Sequence, residues 1–251
     1  MIRNSFIFLE RVSHSTEKGL WQRGITDWNA FIDAPVLPRM SAARKNYYNR
    51  QLKQAKKHLA DYNSSFFHSC LPSSETWRLY DHFSDDCLFL DIETTGYYGD
   101  ITVIGAYDGD NVHTLVKDQG LTKDNIKSIL AHHKMIVTFN GRSFDVPCIN
   151  KYFDGVVPDI PHLDLRFPLA KLGFTGGLKK IEERLKINRS DSTEGMCGED
   201  AVHLWRDYVK NGNQEALDLL VEYNTEDIIN LKPLADFVFK EMKKNMVKEF
   251  M

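Results

Sequence analysis

No stretch of this chain approaches the ~20 consecutive apolar residues that a membrane-spanning helix needs. The apolar start Phe6-Ile7-Phe8-Leu9 is cut off by Glu10 and Arg11, too short for the hydrophobic region of a secretory signal. Cysteine is scarce: Cys70, Cys87, Cys148 and Cys197 lie far apart, with no CxxC pair and no Cys/His cluster at zinc-finger spacing. Neither a disulfide framework nor a structural zinc site is therefore expected, and a reducing, cytoplasmic setting is. No Gly-x-x-x-x-Gly-Lys pattern supports nucleoside triphosphate binding, and no RRM-type or KH-type signature is present. Internal repeats and low-complexity tracts are also missing. What remains is a chain of 251 residues with 42% hydrophobic and 12% aromatic content, enough to bury a sizeable core and to exclude disorder.

The net charge of −3 conceals an asymmetry. Residues 1–84 carry 12 Lys and Arg against 7 Asp and Glu, a balance of +5, whereas residues 85–251 have a balance of −8. Two parts with different electrostatic tasks are expected, a basic helical region over 1–84 and an acidic one over 85–251. No acid occurs from Met40 to Ala60, yet Arg44, Lys45, Arg50, Lys53, Lys56 and Lys57 do. Tyr48, Leu52, Ala55 and Leu59 recur at helical spacing, which predicts an amphipathic helix starting near a Ser41 cap. Its cationic face, with Arg44, Lys45 and Lys53, reads either as a grip on phosphates or as a solvated helix surface. Upstream, Gly24 can end one short helix and Thr26 can cap the next, with Trp21, Trp28 and Phe31 as core. Ser73 or Ser74 is expected to cap a short helix running through Tyr80.

From Cys87 the pattern changes. Cys87-Leu-Phe-Leu-Asp91-Ile reads as a buried strand, followed by strands over 101–107 and 112–116 joined by the turn Asp108-Gly109-Asp110-Asn111. A helix (122–132), a strand (135–139), a helix (143–153) and a short strand (160–165) come next, and helices fill most of the rest. Antiparallel strands followed by strand–helix–strand crossings describe a mixed α/β sheet.

Acids interrupt this apolar framework. Asp91 and Glu93 sit at i and i+2 on one side of a strand, about 6–7 Å apart. Two carboxylates held together in a partly buried place repel unless cations neutralise them, and hard oxygen ligands suit Mg²⁺ or Mn²⁺; the bland alternative is a solvated strand end. Asp145 opens a helix after the exit Asn140-Gly141-Arg142-Ser143-Phe144, either beside Asp91 or as a helix-dipole partner. Tyr223 and Asp227 share a helix face at i and i+4. Asp164 ends a strand, as a supplementary acid, as a partner that supports the site from behind, or as the cap of the next helix. His132 and His133 read as surface residues, and Gly173-Phe174-Thr175-Gly176-Gly177 as a loop at the rim of a groove.

Taken together, Asp91-Ile-Glu93-Thr94-Thr95-Gly96, Asn140-Gly-Arg-Ser-Phe144-Asp145 and Tyr223-Asn-Thr-Glu-Asp227 resemble the three motifs of the DEDD superfamily of 3′→5′ exonucleases. With Glu at 222 and Tyr at 223, the chain is similar to the tyrosine branch (DEDDy). Within it, His162-Leu-Asp164-Leu, Leu178-Lys-Lys-Ile-Glu182 and Trp77-Arg78-Leu-Tyr80 most resemble the YprB-type domain. The resemblance covers about 77–240. It implies an RNase H-like fold, a mixed five-stranded sheet flanked by helices and preceded by a smaller all-helical region. It also implies that Asp91, Glu93, Asp145 and Asp227 hold two divalent cations, Mg²⁺ or Mn²⁺, while Tyr223 orients the attacking water. Thr94, Thr95, Gly96 and Tyr97 would approach the terminal nucleotide. Tyr97 and Tyr98 stand where relatives often carry a Leu wedge, so they either stack on a base or pack as a strand-end pair. Asn140 and Phe144 would shape the groove.

The resulting expectation is a metal-dependent exonuclease that shortens single-stranded DNA or RNA from a free 3′ end and releases nucleoside 5′-monophosphates. The alternatives are an endonuclease on the same fold, a non-catalytic nucleic-acid-binding or adaptor protein, and a Mg²⁺-stabilised structural domain.

Overall fold

The structure is a computed structural model that describes residues 1–96 and 99–248. Tyr97 and Tyr98, assigned above to the terminal nucleotide, lie outside the described residues. Strands β1 (Cys87–Thr94), β2 (Ile101–Tyr107), β3 (Val112–Val116), β4 (Met135–Thr138) and β5 (His162–Asp164) form one sheet in the order β3-β2-β1-β4-β5. The β1–β2 and β2–β3 pairs are antiparallel, and β1–β4 and β4–β5 are parallel. This is the mixed five-stranded sheet flanked by helices that the resemblance implies.

Alternation along β1 divides its side chains between two apolar layers. Leu88, Leu90 and Ile92 pack with Ile126 and Leu130 of α6 (Lys123–Leu130) and Ile149 of α7 (Asp145–Tyr152). Cys87 and Phe89 enter the opposite layer, which contains Leu231, Leu234, Ala235 and Val238 of the long α11 (Gln214–Lys248). Burial on both faces explains why β1 reads as a continuous apolar run. Asp91 and Glu93, of the same parity as Cys87 and Phe89, therefore point to the α11 side.

The helical N-terminal part comprises α1 (His14–Trp21), α2 (Trp28–Asp33), α3 (Ala42–Ala60), α4 (Ser65–Cys70), a 3₁₀ helix (Ser73–Leu79) and α5 (Tyr80–Phe83). Trp21, Trp28 and Phe31 are buried and belong to the same apolar cluster as Val238 and Met246 of α11. Its capping differs from expectation. Asp27 caps α2, accepting from Ala30 N at 2.8 Å, because the chain turns one residue later than Thr26. Neither Ser73 nor Ser74 caps a helix: the turn begins directly after Pro72 in 3₁₀ geometry, with no side-chain cap.

Ser41 does cap α3, and Tyr48, Leu52, Ala55 and Leu59 are its buried stripe. Lys45, however, does not belong to the cationic face. It is 6% exposed, bonds Ile32 O and Asn49 Oδ1, and lies 5.2 Å from the Phe31 ring. At i−3 to Tyr48 it falls on the packed stripe, and its stem covers apolar surface. Arg44 and Lys53 stay exposed, Arg44 donating to the Tyr48 hydroxyl at 3.0 Å. His133 is half-buried rather than superficial, and desolvation lowers its pKa.

Candidate active site

Asp91 and Glu93 lie at the C-terminal end of β1, where the register shifts between Glu93 and Thr94. Opposite Asp91 stands Gly105 of β2, and this glycine is required by packing. A Cβ there would lie 2.0 Å from Asn224 Oδ1 and 3.2 Å from Ile228 Cδ1 of α11. With no side chain at 105, α11 seats Asn224 against the sheet, and Asn224 Nδ2 donates to Asp91 Oδ2 at 2.9 Å. Asp227, one helical turn on, is buried beside it. Asp91, Glu93 and Asp227 each offer a carboxylate oxygen, and these atoms all lie within 4.8 Å of one another.

Asp145 comes from the other layer. It is buried at the first position of α7, and its Oδ1 accepts from Ile92 N at 3.2 Å, tying it to the strand between Asp91 and Glu93. The turn that delivers it is organised by Asp164. Oδ1 of Asp164 accepts from Asn140 N at 2.8 Å and Arg166 N at 3.1 Å, and Oδ2 accepts from Arg142 N at 3.1 Å. Of the roles open to Asp164, these bonds are those of a cap and of a turn organiser behind the site. They also hold Asn140 at φ +66°, a conformation that Asn tolerates better than most residues.

Four carboxyls brought together this way strain the electrostatics. Burial, with Asp227 nearby, pushes Glu93 up to about 8. Burial pushes Asp145 up to about 7 against the opposing pull of its backbone hydrogen bonds. Asp91 is raised by burial and then by Asp145, Asp227 and Glu93. The donor set is all oxygen, anionic and convergent, and it retains an unpartnered buried acceptor in Asn224 Oδ1. It fits Mg²⁺ or Mn²⁺.

A pH dependence follows. Asp91, Glu93 and Asp145 keep their protons to higher pH in the folded chain than in an unfolded one. The folded state therefore loses stability as pH rises from about 4 towards about 8, where Glu93 and Asp145 ionise. A divalent cation removes that loss only where the carboxylates are ionised. The Mg²⁺- or Mn²⁺-induced rise in melting temperature should be large at pH 8 and small at pH 6. An equal rise at both would show that the cation binds elsewhere.

A cleft of about 910 Å³ opens at the site, lined by Asp91, Asp227, Tyr223, Arg166, Lys179 and Lys180. Phe174 to Gly177 line its rim, where the Gly-rich loop was expected. Asn140 also lines it, bonded through Oδ1 to Arg166 Nη1. Thr94, Thr95 and Gly96 form a turn beyond β1: Thr94 Oγ1 donates to Gly96 O at 2.8 Å, Thr95 N to Asp100 O at 2.9 Å, and Gly96 has φ +140°. Phe144 is placed differently, lining a separate cavity of about 340 Å³ with Ile101, Pro147 and Tyr152. Arg44, Lys45 and Lys53 of α3 line none of the cleft.

Sequence reasoning missed five residues here. Lys179 and Arg189 both bond Asp227 Oδ1, Glu182 grips Arg189, Asn224 orients Asp91, and Arg166 lines the cleft. A signal for Asn224 existed, since it precedes Asp227 by one helical turn. Substituting Gly105 by Ala should displace the Asn224 amide from Asp91 and weaken divalent-cation affinity about 10-fold, as losing a ligand's orienting partner does; titration calorimetry with Mn²⁺ checks it.

No curated protein matches the sequence. The crystal structure of Escherichia coli RNase D, an exoribonuclease involved in structured RNA processing, is similar over 70% of this chain and 48% of that one. The identity is 13% and the TM-score 0.42, and this chain spans about half the length of that protein. A family model of the RNase_H superfamily matches residues 88–239, which runs from the second residue of β1 to near the end of α11 and takes in every acid of the site. By that match, over more than half its length, the chain belongs to the RNase H superfamily.

Proposed function

We propose that this protein is a divalent-metal-dependent 3′→5′ exonuclease of the DEDDy type, acting on single-stranded nucleic acid and releasing nucleoside 5′-monophosphates. The observation that carries the reading is the convergence of Asp91, Glu93 and Asp227 at one point, with Asp145 bonded to the same strand and Tyr223 one turn before Asp227. Cations held by these carboxylates would supply charge neutralisation and a lowered pKa for an attacking water.

The remaining work belongs to the chain. Burial and then the neighbouring Asp227 and Glu93 raise the Tyr223 phenol, so it stays protonated near neutral pH. It thus acts as a hydrogen-bond donor that orients a water or a phosphate oxygen, not as a base. Arg166 and Lys180 offer cations to the backbone phosphates along the cleft wall. The cleft is open to solvent along its rim, which suits an extended strand end. No nucleophilic side chain is needed, because the reaction is a direct displacement at phosphorus.

The test is cleavage of 5′-labelled single-stranded DNA and RNA of one sequence, with Mg²⁺, Mn²⁺ or EDTA. A metal-dependent ladder shortening from the 3′ end is expected, and it also selects the substrate. Discrete internal cuts would establish an endonuclease. Binding without cleavage under either metal would establish a non-catalytic binder.

A further inference from the structure

Asp227 Oδ1 accepts from two cations, and they are held in different ways. Arg189 is fixed: Nε and Nη2 grip Glu182 at 2.7 and 2.8 Å, and Glu182, 1% exposed, also accepts from Asn230 Nδ2 at 3.1 Å. The Arg189 side chain is 7% exposed. Lys179 is not fixed in this way. It stands in the first turn of α9 (Leu178–Leu185), directly after the Gly176-Gly177 pair, and its side chain is 25% exposed and lines the cleft. Its ammonium lies 4.0 Å from the centre of the Tyr223 ring, between that ring and Asp227. Its position thus touches three things: the carboxylate needed by a metal, the tyrosine needed by the reaction, and the open cleft beside Arg166 and Lys180.

We propose that Lys179 is an exchangeable cation, which a divalent ion displaces from Asp227 and which then binds a phosphate of the terminal nucleotide. The inference rests on the nuclease reading for the identity of its second partner, but not for the first exchange. Lys179 suits this task and the clamped Arg189 does not. An ammonium on a four-carbon stem is a mobile point charge with three rotatable donors, whereas a guanidinium clamped by a buried carboxylate is committed to one geometry. With Lys179 and Arg189 both on Asp227, a cation shared with Asp91 and Glu93 competes with the Lys179 ammonium for the charge of that carboxylate. Among the described residues Lys179 makes no ion pair with another carboxylate, and the cleft that it lines with Arg166 and Lys180 presents positive charge to an anion. Arg189 stays behind and keeps Asp227 aimed at the site. The two cations on one oxygen therefore have separate roles, one holding the ligand and the other responding to it.

The two partners give opposite signs in one variant. Lys179→Met keeps the length of the stem and its packing over Tyr223 but removes the charge. By titration calorimetry with Mn²⁺ alone, the full-length variant should bind the ion more tightly than wild type, by about 3- to 10-fold, because the competing ammonium is gone. With Ca²⁺ present, its affinity for thymidine and uridine 5′-monophosphates should fall by about 10-fold or more, the loss of one charge-assisted hydrogen bond. Lys179→Arg should recover most of the nucleotide affinity. A residue that merely props up Asp227 would weaken Mn²⁺ binding on removal, so unchanged or weaker Mn²⁺ binding in Lys179→Met overturns the exchange. Tighter Mn²⁺ binding with unchanged monophosphate affinity overturns the phosphate contact. If wild type binds Mn²⁺ but neither nucleotide and cleaves no nucleic acid, the nuclease reading fails and the phosphate half with it, while the Mn²⁺ comparison still decides the exchange.

Discussion

Asp91→Asn is expected to abolish metal-dependent degradation and, in EDTA, to raise the melting temperature. Removing one oxygen ligand that carries charge, from a site whose catalysis is electrostatic, should lower turnover by about 10³-fold or more. Stability should move the other way. The Asp91 carboxyl is buried among Asp145, Asp227 and Glu93 and is destabilised there when ionised. An Asn has the same shape, and its amide oxygen still accepts from Asn224 Nδ2. It therefore removes the repulsion without opening a cavity or orphaning a donor. In a chain of this size each kcal/mol relieved raises the melting temperature by about 2–4 °C. Binding to a single strand should largely persist, since Arg166 and Lys180 remain. Cleavage at the wild-type rate would show that the metal assignment is wrong. A lower melting temperature in EDTA would show that Asp91 is there to hold the sheet to α11.

The largest expected effect on stability lies far from the cleft. Arg78→Met should destabilise the chain by about 3–5 kcal/mol, the range seen when one partner of a buried ion pair is removed and the other is left charged. Arg78 is buried in the 3₁₀ helix, with its guanidinium 5.5 Å from the Trp77 ring and 6.0 Å from that of Trp21. Nη1 bonds both oxygens of Glu17 at 2.9 Å and Ser5 Oγ at 3.0 Å, while Nε bonds Glu75 Oε2 at 2.7 Å. Glu17 in turn accepts from Phe6 N and Ile7 N. One side chain thus ties the N-terminal turn, α1 and the approach to β1 together. Methionine fills the space but leaves the buried Glu17 without its cation, while Glu75 keeps Lys171 at 3.6 Å. Urea unfolding is the check, and a change under about 1 kcal/mol would mean that water solvates Glu17. Arg78→Met with Glu17→Gln should recover part of the loss, because the uncompensated charge carries most of it.

The strands were legible because their signal is local. The ranges 101–107 and 112–116 are those of β2 and β3, and each remaining strand and helix of the sheet region falls within a few residues of its predicted span. The buried stripe of α3 was legible for the same reason, since Tyr48, Leu52, Ala55 and Leu59 repeat with the helix. Lys45 was misplaced because a charge count does not say which way a lysine points. One position in the helical repeat separates solvent from the Phe31 ring. The cap at Thr26 failed similarly, since the neighbouring Asp27 competes and packing chooses between them, whereas the turn after Pro72 takes no side-chain cap at all.

The site divides along the same line. The sequence by itself determined the acids, their order and their elements: two on one face of β1, one opening α7, one on α11 a turn after Tyr223. Periods of two and 3.6 residues place them on these elements, and the resemblance to the three DEDD motifs implies that they belong to one site. The sequence could not show that Gly105 leaves room for Asn224, that Asp164 bonds the turn carrying Asp145, or that Lys179 and Arg189 meet at Asp227. Gly105 and Asn224 are 119 residues apart in the chain, and Lys179 and Asp227 are 48 apart. Contacts of that range depend on how α9 and α11 pack across the sheet, and no local pattern encodes them. Composition placed the positive charge in the first 84 residues, but the cations facing the acids come from the acidic part. Only tertiary structure decided this, because a net balance sums charges over a region while a site depends on the few that packing brings within a hydrogen bond of one another.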